Sequence, residues 1–354
     1  MDPTPGLTSL EARVEDVTAA AACAVESPEY IVGGEVEFSF AATDGTTVVA
    51  TCQVEGAQAE VTGVKLEGGK HYTVVARCAA TNGATVESNS ATIEVATQPT
   101  EAWLELPAIP ESAAHTYAQE VKVAYDGERN YTHYYDSATY TSLWVAYPLE
   151  SSHMGNNARP TSWTYNPYVD ESVQVNLRSH SYNDDYARGH LIPNASRNGI
   201  AGMQLQTFYV TNSVPQIQNS FNSGVWSTLE GALQSIATTE RIYIVTGVAF
   251  NKVGETKSVA YTTAKDDTKE IPVPNYFYKV VLRATTDSNG TVTRATTVGV
   301  WFEHRAYIDD SYTNYTVSVD QVEEWTGFDF FENLPDSVET TAEQNSSWET
   351  FTAF

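Results

Sequence analysis

The stretch Tyr186-Ala-Arg-Gly-His-Leu-Ile-Pro-Asn-Ala-Ser-Arg197 sets an Arg and a His two residues apart on a segment that reads as extended. Downstream, Thr211-Asn-Ser-Val-Pro-Gln216 delivers Asn212 from a turn, and Phe221-Asn-Ser-Gly-Val-Trp-Ser-Thr-Leu-Glu230 delivers Asn222 and Glu230 from a helical pattern. These residue types suit hydrolysis of a phosphodiester. The reaction needs a base to deprotonate water, and a His that titrates near neutrality is matched to that task, which makes His190 the candidate base. It also needs positive charge where the phosphoryl and leaving oxygens become more negative: a hard metal such as Mg2+, together with guanidinium groups. Asn222 offers a neutral amide oxygen and Arg188 a guanidinium. Because Mg2+ keeps most of its waters, one Asn with Glu230 nearby is a sufficient protein contribution.

Taken singly, each piece has a plainer reading. Arg-Gly-His is more often a turn carrying a surface His, and an Asn ahead of a helix is usually a cap. The signal lies in the ordered set, Arg-Gly-His, then Asn-x-x-Pro-Gln, then Phe-Asn-x-Gly-x-Trp-x-x-Leu-Glu, all between residues 188 and 230. In that combination the sequence resembles the DNA/RNA non-specific endonucleases, the ββα-metal or His-Me finger family. The resemblance implies an α+β domain of antiparallel sheet with packed helices, and Mg2+- or Mn2+-dependent, sugar-non-specific hydrolysis of DNA and RNA. It places the general base on His190, the metal-binding Asn on Asn222, the supporting Arg on Arg188, the Asn of the strand-end turn on Asn212, and the Glu that holds the metal's water shell on Glu230. Trp144-Val-Ala-Tyr147 followed by Ala158-Arg-Pro-Thr-Ser-Trp163 resembles the segment with a second phosphate-side Arg, which assigns that role to Arg159.

Two departures stand out. The family motif usually opens with Asp, whereas Ala187 precedes Arg188 here, and Asp184 and Asp185 are out of phase with that position. The Asn212 to Asn222 connection is also one residue longer than the common pattern, which leaves Asn219, three residues earlier on the same expected helical face, as a rival ligand.

Outside this core the chain of 354 residues reads as two domains. Val36–Phe40, Thr46–Val54, Tyr72–Cys78 and Ala91–Val95 alternate or are β-branched and are punctuated by Gly, so residues 1–97 read as an all-β sandwich. The run from Val61 to Val75 resembles the fibronectin type III pattern, with a Gly-ended loop leading to an inward Tyr72. Residues 9–22 are rich in Ala and Glu and admit a helix, but strands are the preferred reading. Residues 98–102 form the expected linker and 103–354 the nuclease domain. Alternation turns Cys52 and Cys78 to the core, and three Cys without a Cys-x-x-Cys spacing read as thiols, with a bridge from Cys78 to Cys23 or Cys52 open if the chain is exported. Export is the expectation from the polar, Pro-rich opening residues. The aromatics from Tyr131 to Tyr147 read as sheet packing rather than base-stacking platforms. Residues 220–237 have helical spacing, with Phe221, Val225, Leu229 and Leu233 on one side.

A net charge of −26 runs against nucleic-acid binding, which draws on basic surface. The charge is uneven: residues 1–100 hold four Lys and Arg against fourteen acids, whereas residues 151–230 hold Arg159, Arg178, Arg188 and Arg197 against five. These four Arg are the expected phosphate contacts. The competing reading is a catalytically inactive nuclease-fold binding or adhesion protein, with Ala187 as its warning sign.

Overall fold

The computed structural model describes residues 4–15, 18–42, 45–66, 70–95, 103–109, 116–287, 290–309 and 311–354. The expected linker, and Gly68 and Gly69 of the expected Gly-ended loop, lie outside them. The chain divides into two compact units, residues 1–100 and 101–354.

The first unit is all β. Strands β1 (Gly6–Glu15), β2 (Thr18–Glu26), β3 (Glu35–Ala42), β4 (Thr47–Gln53), β5 (Gln58–Lys65), β6 (Lys70–Ala79), β7 (Thr85–Glu87) and β8 (Ala91–Val95) form two antiparallel sheets, β1-β2-β5 and β4-β3-β6-β7, with β8 also paired to β6. Both sheets send side chains into one core that includes Leu7, Ala21, Phe38, Phe40, Val61, Tyr72, Val74 and Ile93. The Ala-rich run at 19–22 is strand, because its alternate residues Ala19 and Ala21 fill that core. Cys23 and Cys78 are buried thiols, while Cys52 is only half-buried because β4 is an edge strand; none is bridged. Burial pushes the Cys23 thiol up to about 11, with Cys52 and Cys78 adding to it.

The second unit is built on a seven-stranded antiparallel sheet. Its strands are β9 (Ala118–Tyr125), β10 (Glu128–Asp136), β11 (Thr141–Leu149), β14 (Ile242–Ala249), β17 (Tyr276–Thr286), β18 (Val292–Glu303) and β19 (Thr316–Val317), in the order β19-β18-β17-β14-β11-β10-β9. The inner strands are apolar on both faces because both faces are covered. Along β11, Val145, Tyr147 and Leu149 point to one layer and Trp144 and Ala146 to the other. The aromatics read as packing are mostly core: Tyr131, Tyr134, Tyr135, Trp144 and Tyr147 are all buried.

On one face sit the ribbon β12 (Tyr186–His190) with β13 (Ser213–Ile217), the short helix α1 (Ala201–Gln206) and the helix α2 (Ser227–Ile236). A small pair, β15 (Tyr261–Thr262) and β16 (Ile271–Pro272), flanks them. On the other face lies α3 (Val319–Thr326), followed by the loop carrying Phe328, Phe330 and Phe331, and then α4 (Asp336–Ala342); α5 (Trp348–Thr352) sends Phe351 back to the first face.

The expected helix over 220–237 is corrected. Regular α-helix starts only at Ser227; residues 218–226 form a wide π-type turn broken at Asn219, at Ser220 with φ 66°, and at Gly224. Phe221, Val225, Leu229 and Leu233 are nevertheless all buried on the sheet, as their spacing predicts, although the backbone over 218–226 is not regular α-helix.

Candidate active site

Strand β12 positions the Arg and the His. It pairs with β13 in the register Arg188↔Pro215, Gly189↔Val214 and His190↔Ser213. Gly189 is required by close approach: a Cβ there would lie 2.6 Å from the Cβ of Gln216, which packs across it. The side chain of Gln216 is buried with both amide atoms unpartnered, and its strand partner is Ala187.

His190 lies against two aromatic rings, Trp163 at 4.6 Å and Phe208 at 4.9 Å between centroids. Its Nε2 is buried and has no hydrogen-bond partner. Burial holds the imidazole down at about 3, Arg159 and Arg188 push the same way, and a hydrogen bond with the Arg188 backbone opposes them. The ring is therefore neutral at physiological pH and able to accept a proton. Arg188 donates through Nη1 to the Leu177 carbonyl at 2.7 Å and stacks over Trp163 at 5.1 Å. Arg159 is exposed, with its guanidinium 5.1 Å from the Phe208 ring centre. The same aromatic pair thus seats the candidate base and both guanidinium groups, a role not implied by reading the Trp163 segment for its Arg alone.

From the other side, Asn222 lies in the wide turn and donates from Nδ2 to Gln218 Oε1 at 2.9 Å. That bond orients the amide and leaves Oδ1 as a free acceptor. Glu230 sits in the first turn of α2, and the buried ammonium of Lys279 approaches its carboxylate to 3.7 Å. Burial pushes Glu230 up and Lys279 pulls it back, with a net rise; Lys279 is pushed down to about 8 by burial. The Nζ of Lys279 also donates to Thr246 Oγ1 at 2.7 Å and lies 4.4 Å from the Trp226 ring centre. Lys279 was missed in the sequence, although a lone Lys in the apolar run Tyr276–Leu282 is a signal: it falls in phase with Phe277 and Val281, which face the site.

Arg159, Arg188, His190, Asn222 and Glu230 line one cleft of about 630 Å³, together with Trp163, Gln218, Asp185, Ala187 and Lys265. Asn212 does not line it. It is fully buried, accepting from the Ile192 N–H at 3.0 Å and donating to the carbonyls of Ile192 and Thr207, so it clamps the chain that follows β12. Asn219 is exposed, outside the cleft lining and off the helical face of Asn222, because Asn219 itself and Ser220 both leave helical backbone. Two of the four expected phosphate Arg are also elsewhere. Arg197 is buried and donates to Asn130, Pro148 and Ser196, and Arg178 stacks on Tyr165 outside the cleft.

Beside Asn222 the cleft lining offers the carboxylates of Glu230 and Asp185 as oxygen donors, and no thiol is among the lining residues. That chemistry fits a hard, oxygen-bound divalent ion held by few protein ligands.

A two-stranded ribbon followed by a helix, closing over a neutral His and an Asn amide, defines a nuclease fold of the ββα-metal type. The chain belongs to the DNA/RNA non-specific endonuclease family, whose model matches residues 87–337. By family it is thus an enzyme, a nuclease. It is 27% identical over 214 residues to a nuclease of Nostoc sp., covering 59% of this chain and 73% of that protein. Identity is 25% to a nuclease of Syncephalastrum racemosum and 29% to the mitochondrial nuclease EXOG of Danio rerio, over 54% and 56% of this chain. In those two cases the match spans 62% and 58% of the relative, less than two thirds of its length. The fold is also that of a solved EndoG/EndoGI complex, with a TM-score of 0.50 at 21% identity, covering 63% of this chain and 91% of that one. No helix among the described residues is long and apolar enough to cross a membrane. Mitochondrial enzymes stand among the relatives, which gives the expected export no support.

Proposed function

We propose that the protein is a Mg2+-dependent, or Mn2+-dependent, endonuclease that hydrolyses phosphodiester bonds in both DNA and RNA. One observation carries the reading: a neutral imidazole, two guanidinium groups, an uncommitted amide oxygen and a carboxylate converge on one open cleft. Neutral His190 takes a proton from the attacking water. Arg159 and Arg188 receive the non-bridging phosphate oxygens, and Trp163 and Phe208 keep both guanidiniums in place. Asn222, through Oδ1, and Glu230, through its water shell, would hold the metal, which when bound supplies positive charge to the phosphoryl and leaving oxygens.

An anionic phosphate neutralises the two charges that help to depress His190, so substrate itself moves the base back toward its working range. Ala187 leaves this set intact, since it lines the cleft without displacing any member. The test is degradation of plasmid DNA and of a long RNA by the full chain. Cutting of both that requires Mg2+ and stops with EDTA supports the proposal, and cutting of one alone removes sugar non-specificity. Failure of a well-folded preparation to cut either would revive the inactive binding protein.

A further inference from the structure

On the sheet face away from the cleft, α3 and α4 bring three acids together. Asp320 and Glu323 are three residues apart on α3 and share its face. Glu343 follows the last residue of α4, and its backbone carbonyl accepts from the Val319 N–H at 3.0 Å, which fixes the end of α4 over the start of α3. One carboxylate oxygen from each of the three lies within 4.8 Å of the others.

Proximity of acids alone would be unremarkable on so acidic a chain; the position of Glu343 is what demands an explanation. It is only 5% exposed, and its Oε1 is buried without a hydrogen-bond partner. A buried carboxylate oxygen left unpaired costs free energy, and two further carboxylates beside it add repulsion. No Lys or Arg follows Arg305, while eleven acids do. Glu323 commits one oxygen to the Phe330 N–H at 2.7 Å, which leaves the other for a ligand. Asp320 is exposed and provides a path from solvent.

We propose that Asp320, Glu323 and Glu343 form a second, structural cation site that takes Ca2+. Oxygen-only donors select a hard ion. Ca2+ bonds oxygen at about 2.3–2.6 Å in irregular shells of high coordination, so one ion spans carboxylate oxygens this far apart, whereas Mg2+ requires a tighter octahedron. A bound ion ties α4 to α3, both of which pack against β18.

The experiment is thermal unfolding of the metal-stripped full chain during a Ca2+ titration, with Glu343→Gln, Asp320→Asn and Asn222→Ala run alongside. At about 10 mM Ca2+ the unaltered chain should melt higher by roughly 3 °C or more, on the affinities of weak Ca2+ sites. Asp320→Asn, an exposed change that leaves folding intact, should lose most of that rise, and Glu343→Gln should lose it while melting at or above the ion-free parent because repulsion is removed. Asn222→Ala should keep it, and Mg2+ should give a smaller rise. An unmoved melting temperature in the parent, or an equal rise in Asp320→Asn and Glu343→Gln, overturns the proposal; loss of the rise in Asn222→Ala alone would assign Ca2+ binding to the cleft instead.

Discussion

Replacing Lys279 by Met tests whether the buried ion pair tunes the active site or merely fills the sheet. Lys279 is fully buried 3.7 Å from Glu230 and is the largest influence holding that carboxylate ionised against burial. At that separation and an effective dielectric of about 20, their attraction is on the order of 4 kcal/mol. Its loss leaves burial unopposed and should move the acid limb of the pH–activity profile upward. Lys279→Met should therefore be slower than the parent at neutral pH and should recover as pH rises. Stability should fall by roughly 3–5 kcal/mol, the usual cost of stranding one partner of a buried pair, and the double variant Lys279→Met/Glu230→Gln should regain much of it without regaining activity. Initial rates on plasmid DNA from pH 5 to 10, with melting curves for the four corners of the cycle, decide the matter. A Lys279→Met enzyme with the parental acid limb would refute the reasoning, whatever its melting temperature.

His190→Ala should lower turnover by roughly 10²–10⁴ with DNA binding nearly unchanged, and a near-normal rate would remove His190 as the base. Asn222→Ala should raise the Mg2+ concentration needed for half-maximal rate, Glu230→Ala should do so more weakly, and Asn219→Ala should do nothing; metal titrations of the three show whether the ligand is correctly placed. The imidazoles of His133, His153 and His190, held at about 3, and of His304, at about 4, stay neutral in the folded chain, whereas the unfolded chain protonates them near 6.5. Stability should therefore be lost as pH falls from about 6.5 toward 3, while the raised carboxyls of Glu323 and Glu343 should cost stability as pH climbs above about 4.5 toward 9, giving a maximum in melting temperature between these limits and a high-pH loss that Ca2+ removes. Ala187→Asp should give the unpartnered Gln216 amide an acceptor on the same face of the ribbon and raise stability by about 1 kcal/mol, read as a shift of a few degrees; a drop would mean that burial of the new charge outweighs the bond.

Much of this was legible because period and residue type carry it. The strands at 142–147, 241–247, 276–282 and 295–302 announce themselves as apolar runs, and Arg188, His190, Asn222 and Glu230 are set in an order that few other constellations share. What stayed hidden depends on contacts distant in sequence. Nothing local distinguishes buried Arg197, bonded to Asn130 and Pro148, from cleft-lining Arg188. Helical spacing carried the expectation through Asn219 and Ser220 because the apolar positions around them are correctly spaced, yet their backbone leaves the helix. Nothing local distinguishes Glu343 from the other acids that follow Arg305, yet the fold buries it at the end of α4.

The ribbon β12–β13 is hydrogen-bonded within itself and stands outside the seven-stranded sheet. It is seated by side-chain packing from Leu191, Ile192 and Val214 and by the Asn212 clamp. A unit attached in this way can detach and re-seat while the sheet stays closed, so its amides should exchange with solvent through a cheaper opening than those of β11, β14 and β17. Heat or mild denaturant would then silence the enzyme before the sheet melts, and a preparation that looks folded by circular dichroism can already have lost the surface on which the proposed base, cations and metal-binding amide meet.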